Sequence, residues 1–379
     1  MKILFDARTM MRGNATGIPG YARNIIENLL YHDKENEYVF FANSLRGGNP
    51  SFLHSEQRTP RVINWHIPNR LLDLSLRFFH APKPDRFVSA DVVFNPHFNV
   101  FAASNSVRRV VTFHDLSFLR YPEFFSRREQ LWHWRQDPKR QARDATHLIA
   151  VSCVAKRDLM EYYKISEKKI STIPLGINPY FSAPVDADIL DAFRRTHHLE
   201  NPFLLFVGTL EPRKNIEGVI RAFDILKTRR PFAPLKLVIA GGKGWLYDDI
   251  LKRAARSAWK NDIIFWGFAS YTELRNLYRS ASVFVFPSFY EGFGFPPLEA
   301  QASGTPVVAS SRGALAEVLG NSALVADPVN PESIAVQVES LFNNQGLRER
   351  ITAKGSTNAR RFRWEKTAEA TLSVLTNGE

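Results

Sequence analysis

Short apolar runs alternate with amphipathic stretches along almost the whole chain, and few folds accept that alternation. In the first half KILFDA, YVFFAN, VINWHI, DVVFNP, RRVVTFHD and HLIAVS have the length and side-chain content of buried strands. GYARNIIENLLYH has helical spacing, and Ser152 is placed to cap a helix over CVAKRDLMEYYK. In the second half FLLFVGT, LKLVIAGG, IIFWGF, VFVFPS, PVVAS and ALVAD repeat the pattern, each followed by a helix-like stretch. Alternation of this kind builds parallel sheets with helices on both faces. Between the two series lies ISTIPLGINPYFSAPVDAD, residues 170–188, where Pro, Gly and Asn crowd together as in an interdomain crossing. The fold class expected is α/β, with two Rossmann-like doubly wound domains over 1–182 and 183–361. A single (β/α)8 barrel fits the strand number but not the crossing. Open sheets of this type bind ligands at the carboxyl ends of their strands, so the cleft between two facing domains is the expected site.

Length and composition agree with that reading. A chain of 379 residues suits two domains, and 44% hydrophobic residues exclude a disordered chain. The one cysteine, Cys153, excludes an internal disulfide framework and fits a reducing compartment. MKILFDART reads as a strand opening rather than a signal peptide, and no window approaches the ~20 apolar residues of a membrane span. The expectation is a cytoplasmic protein, or one resting on the inner face of the plasma membrane.

Charge is unevenly placed. Residues 1–185 hold 26 Lys/Arg and 17 Asp/Glu, which is +9 of the total +12. Such a half attracts nucleic acid, anionic lipid or a phosphorylated substrate, unless the charge is merely spread over a solvated surface. No nucleic-acid-binding motif accompanies it.

Four stretches carry residues suited to chemistry. In VGTLEPRKNIEGVIRAF, Arg213 and Lys214 lie between a strand and a helix, where cations, helix amides and the dipole act together on an anion. TGIPGYARNIIENLL places Gly17 and Gly20 between the first strand and first helix, without a dinucleotide or Walker fingerprint. VVTFHDLSF puts His114 and Asp115 beyond a strand, within reach of a hydroxyl or a phosphate oxygen, or else as plain loop residues. PSFYEGFGFPPLEAQASG holds Glu291 and Glu299, with Gly292 and Gly294 allowing close backbone approach and Glu299 expected in a helix's first turn. A hydrolytic carboxylate pair spans only ~5 to 9.5 Å across one glycosidic bond. Two spaced carboxylates, glycine amides and an Arg-Lys pair suit a longer ligand, with hydroxyls at both ends and a diphosphate between.

EGFGFPPLE with its E-x7-E spacing, VGTLEPRKN, GGKGW, FHD, TGIPGYARN and RRFRWEKTAEATL together resemble the retaining glycosyltransferases of family 4, along nearly the whole chain and in the family's order. The resemblance implies the GT-B fold and a C-terminal helix, 362–379, packing back on the N-terminal acceptor domain. It implies that Glu291 and the backbone of Gly292, Phe293 and Gly294 hold the donor sugar, and that Glu299 accepts from the ribose hydroxyls. Arg213 and Lys214 would neutralise the diphosphate with help from Gly17, Thr209 would border the donor, and His114 would lie near the transferred sugar. The nucleobase would meet Trp266–Phe268. Many members carry an arginine directly after the strand glycine; here Thr209 follows Gly208, and the cation beside Lys214 is Arg213. GTLEPRKN resembles the branch containing mannosyltransferases of surface-polysaccharide assembly, implying GDP-mannose as donor, with UDP-sugars or dTDP-rhamnose as alternatives. None of these motif stretches carries an Asp-x-Asp metal motif, so neither a metal nor a cofactor is expected.

The basic half includes NRLLDLSLRFFHAPKPDR and SRREQLWHWRQDPKRQAR, whose mixture of Arg, Leu, Phe and Trp suits an interfacial helix near anionic lipid, or packing in the domain core. A polyprenyl-diphosphate-linked glycan acceptor follows as an expectation. The rival classes are a sugar-nucleotide epimerase, a glycosyl hydrolase, and a non-catalytic nucleotide-sugar-binding protein.

Overall fold

The computed structural model describes residues 1–12, 17–44, 61–229 and 232–376. They form two units, each built on one parallel sheet.

The first unit comprises Met1–Arg120, Arg127–Gly176 and Arg363–Glu379. Its strands are β1 (Lys2–Asp6), β2 (Glu37–Asn43), β3 (Arg61–Trp65), β4 (Val92–Asn95), β5 (Arg108–Phe113), β6 (His147–Ala150) and β7 (Ile170–Thr172). They lie in the order β3-β2-β1-β4-β5-β6-β7, all parallel, so the winding reverses between β1 and β4. Leu4, Val39, Phe41 and Val93 pack one part of the core with Leu72 and Leu76; Val111, Phe113, Leu148 and Leu159 pack another. Six strands fall where the apolar runs predicted them. The seventh, β7, occupies the start of the stretch read as crossing: only Ile170 of its three residues is buried, so an edge strand shows no apolar run.

The helix Trp364–Thr376 belongs to this unit. Thr367 donates to the Pro174 carbonyl at 2.9 Å, and Arg108 donates to that of Val374 at 2.7 Å. Gly176 has no side chain because a Cβ there would lie 2.3 Å from the Trp364 nitrogen.

The second unit comprises Tyr121–Ser126 and Ile177–Phe362. Its strands are β8 (Phe203–Val207), β9 (Lys236–Ala240), β10 (Ile263–Gly267), β11 (Val283–Phe286), β12 (Val307–Ala309) and β13 (Leu324–Val325). The order is β10-β9-β8-β11-β12-β13, again all parallel, and the winding reverses between β8 and β11. The segments after β8 and after β11 therefore emerge side by side at the sheet's carboxyl edge. The chain enters this unit at Ile177, ahead of the expected division at 182, because Phe181 is buried against Tyr278, their rings 5.7 Å apart.

Residues Tyr121–Ser126 are a strap contributed from far up the chain. Phe124 stacks on Phe289 at 5.3 Å, Phe125 stacks on Trp245 at 5.5 Å, and the Trp245 indole donates to the Phe124 carbonyl at 2.6 Å.

Candidate active site

At the edge where β8 and β9 end, backbones touch. A Cβ on Gly241, whose φ is +148°, would lie 1.9 Å from the Gly208 carbonyl oxygen, so only glycine fits. Beyond Gly208 and the exposed Thr209, the chain makes a single 3-10 turn, Pro212–Lys214, and reaches Asn215 in the left-handed region at φ 56°. Asn215 caps the helix that follows. Its Oδ1 accepts from the Gly218 amide at 3.2 Å, opening the helix Ile216–Lys227. Its Nδ2 donates to the carbonyls of Pro287 at 3.1 Å and Pro328 at 2.7 Å, fastening the turn to the segments after β11 and after β13.

That fastening brings Arg213, Lys214 and Glu291 together. Lys214 Nζ donates to Glu291 Oε1 at 2.6 Å and lies 5.1 Å from the Phe286 ring centre. Arg213 Nη1 donates to the Tyr290 carbonyl at 2.6 Å and is 3.1 Å from Glu291 Oε2, while Nη2 reaches Glu211 Oε1 at 2.5 Å. The Phe289 amide returns a bond to the Arg213 carbonyl at 2.9 Å. Glu211, Lys214 and Glu291 are buried. Burial pushes the Glu291 carboxyl up, but Arg213, Lys214 and the Ser288 hydroxyl outweigh it and hold the group at about 2. The cluster is thus four charged groups, two of each sign.

Gly313 explains how Glu291 is seated. A Cβ there would lie 2.5 Å from the Glu291 carbonyl oxygen, and φ is +61°, so the backbones can meet only at glycine. The Ala314 amide then donates to that carbonyl at 2.8 Å. Gly292 and Phe293 follow; the Phe293 side chain is turned into a ring cluster with Phe295 and Phe362, leaving its backbone at the turn. Gly294, at φ +103°, starts the helix Phe295–Ala302 with Pro at its head and no side-chain cap.

Glu299 falls in the second turn of that helix, not the first, because the helix begins at Phe295 ahead of both prolines. Its carboxylate pairs with the Tyr278 hydroxyl at 2.9 Å. Burial raises it to about 7 against the opposing effect of that hydroxyl, and the Tyr278 phenol is itself pushed well up by burial and by Glu299. The two glutamates thus occupy opposite electrostatic settings, one fixed as an anion and one poised near neutrality.

Of the region expected at the nucleobase, Trp266 is engaged. Its ring lies 4.6 Å from that of His197 and 5.7 Å from that of Phe193, and it bonds Glu273. Phe268, just past the end of β10, is exposed.

In the first unit, Gly17 opens the helix Gly17–His32 with φ +64° and open space around it; Thr16, the motif's first residue, lies outside the described residues. One turn on, Tyr21 meets His114 edge to face at 4.7 Å. His114 Nε2 donates to the Pro96 carbonyl at 2.9 Å, so its Nδ1 is the lone-pair nitrogen. Burial lowers the His114 pKa, opposed by that carbonyl and by Asp115, and the ring is neutral at physiological pH. Asp115 is turned to its own loop, accepting from the amide and hydroxyl of Ser117 at 2.9 and 2.6 Å.

Four residues of the second-unit site carry little or no sequence signal of their own. Glu211, Ser288 and Gly313 sit in ordinary loop sequence, and Tyr278 is one more apolar position on a helix. For Glu211 alone a hint exists, as a carboxylate two residues ahead of Arg213.

Among the described residues no cluster of three or more His, Cys, Asp or Glu is arranged to hold a metal ion. Residues 190–357 match the family described as glycosyl transferases group 1, and residues 19–181 match glycosyltransferase family 4. O-antigen chain mannosyltransferase B of Escherichia coli is 31% identical over 282 residues, covering 73% of this chain and 72% of the relative. The serotype-specific mannosyltransferase WbdA of Escherichia coli is 28% identical over 61% of this chain, which spans only 29% of that protein's length. A crystal structure of Anabaena HepE with UDP and glucose superposes with a TM-score of 0.74 over all of both chains at 18% identity, a likeness of fold. With two Rossmann-like units, both family matches and a relative aligned over most of its length, this chain belongs to the family 4 glycosyltransferases of GT-B fold.

Proposed function

We propose that the protein moves mannose from GDP-mannose, with retention of anomeric configuration and without a metal, onto a glycan acceptor in surface-polysaccharide assembly. The observation that carries this reading is the Arg213–Glu291–Lys214 cluster at the reversal point of the second sheet. Cations beside a carboxylate at a strand's carboxyl end suit a ligand that joins a diphosphate to a hydroxyl-rich sugar. The mannosyltransferase names among the relatives support the sugar, and a nucleotide-sugar donor is in keeping with the UDP in HepE.

In this reading the second unit binds the donor and the first the acceptor. Glu291 and the backbone of Gly292–Gly294 take the sugar hydroxyls, and Glu299 takes the ribose hydroxyls. Arg213 and Lys214, with Thr209 at the border and Gly17 assisting, face the diphosphate. Because the cluster has no net charge, the cations act on the phosphates as Glu291 shares its oxygens with the sugar. The acceptor oxygen bonds to C1 on the face the phosphate leaves. The C1–O electron pair departs with the nucleoside diphosphate, whose charge Arg213 and Lys214 stabilise, and the acceptor proton passes to the departing phosphate oxygen. No side chain is assigned as a covalent nucleophile. His114, neutral and anchored by Pro96, borders the transferred sugar.

Thermal unfolding with GDP-mannose, UDP-glucose and dTDP-rhamnose tests the donor, since a ligand of the folded state raises Tm. GDP-mannose is expected to give the largest rise; a rise with UDP-glucose alone transfers the proposal to that donor. Labelled donor supplied without acceptor separates the epimerase reading: conversion to a second sugar nucleotide would replace transfer with epimerisation.

A further inference from the structure

The first unit carries an apolar face that its core does not use. In the helix Asn69–Phe78, Leu72 and Leu76 are buried in the core, which satisfies the inward stripe. Leu71, Leu74 and Phe78, at spacings of three and four, form a second stripe on the outside; Leu71 is 59% exposed and Phe78 58%. The helix Arg127–Gln136 repeats the arrangement: Trp132 packs against the core, while Leu131 and Trp134 are exposed.

These two helices lie together. The Arg77 guanidinium stacks on the Trp134 ring at 4.2 Å and donates to the Trp134 carbonyl, and the Phe78 and Trp134 rings are 6.5 Å apart. The two outer stripes thereby join into one patch of Leu71, Leu74, Phe78, Leu131 and Trp134. Contiguous exposed apolar surface on a soluble protein marks an interaction site.

Charge identifies the partner. Residues 69–86 and 126–143 hold ten Lys/Arg against four Asp/Glu. Asp73 and Asp137 are paired internally, with Arg135 and Arg77 respectively, whereas Arg70, Arg127 and Arg128 are exposed. A second copy of this chain would oppose cationic face to cationic face, which disfavours self-association. Exposed Trp, Phe and Leu on helices that also carry exposed arginines match an anionic bilayer: the rings enter the headgroup boundary and the arginines meet lipid phosphates.

We propose that this two-helix face docks the enzyme on an anionic membrane surface. The argument is independent of the donor assignment and holds for any acceptor delivered at such a surface.

Co-sedimentation with vesicles of equal parts phosphatidylglycerol and phosphatidylcholine, and with phosphatidylcholine alone, tests it. The expected result is binding to the anionic vesicles at low salt, weakening as salt rises, with little binding to the neutral ones. Trp134→Glu and Leu74→Glu, both surface changes, are each expected to lower vesicle affinity by at least ~10-fold while hydrolysis of donor in solution stays at the wild-type rate. Using two separate variants keeps the test open if one misfolds by circular dichroism. Equal binding to both vesicle types, no binding at low salt, or variants that bind like wild type would overturn the proposal. So would a dimer in analytical ultracentrifugation that Trp134→Glu dissolves, which would make the face a contact between copies.

Discussion

Lys214 Nζ lies 2.6 Å from Glu291 Oε1 although 77 residues separate the two. The pair is buried and Arg213 closes it from the other side, so the carboxylate is oriented before any ligand arrives. The same arrangement makes it costly to damage. Removing one partner of a buried pair strands the other, which costs about 3–5 kcal/mol, whereas replacing both with uncharged groups of similar size costs much less. Lys214→Ala is therefore expected to lower both stability and turnover. Lys214→Met with Glu291→Gln is expected to regain most of the stability, but not the activity, in parallel urea melts and transfer assays.

Glu291 also sets an acid limit. It titrates at about 2 when folded and near 4.5 otherwise. The unfolded chain takes up the proton first, so the stabilisation is complete above pH 4.5 and disappears as pH falls towards 2. A shift of this size amounts to about 3 kcal/mol. Wild-type stability measured down the acid range is expected to fall through that window, and Glu291→Gln to be flatter there.

Glu299 behaves in the opposite sense. Its folded value of about 7 exceeds the ordinary 4.5, so its contribution to stability is complete below 4.5 and is lost as pH rises through 7. If Glu299 takes the ribose hydroxyls as proposed, those hydroxyls donate to a carboxylate, so donor binding favours the ionised form and expels a proton near neutrality. Calorimetry in buffers of different ionisation enthalpy is expected to register that release, and Glu299→Gln to abolish it. Equal heats across buffers in the wild type would remove Glu299 from the ribose.

Gly313→Ala places a methyl on the Glu291 backbone and holds alanine at φ +61°. The left-handed conformation alone costs about 1–2 kcal/mol. A loss of turnover of at least ~10-fold is expected as Glu291 is pushed off its seat, whereas Gly304→Ala, with a φ of +82° but open space, is expected to lose stability and retain turnover.

Chelation provides a separate check on the mechanism. If Arg213 and Lys214 supply the positive charge, EDTA leaves the transfer rate unchanged. Activity that vanishes with EDTA and returns with a divalent ion would place a metal in the step.

Strand positions were legible because each carries an apolar run, even at the sheet edges where β3 and β13 have no buried residue, and only β7, with the sequence Ile-Ser-Thr, escaped. Arg213, Lys214, Glu291 and Glu299 stood out because charged residues beside glycine and proline at strand ends are conspicuous. Their pairing was not legible: Arg213 and Lys214 bond Glu291 directly through the fastening by Asn215, and nothing in local sequence encodes a contact across 77 positions. Glu211 and Gly313 escaped for the same reason, since each is defined by what it touches. The strap Tyr121–Ser126 is apolar enough to read as core of the domain around it, and its partners Phe289 and Trp245 lie more than a hundred residues on.

The C-terminal helix has a consequence for how the protein is made. Trp364–Thr376 packs with the helix Gly17–His32, yet a ribosome synthesises it after the whole of the second unit. The earlier-made unit therefore waits, with Tyr21 and Gly176 uncovered, until translation reaches that helix. Emergence of residues 364–376, rather than of residue 176, is the moment at which its fold can close.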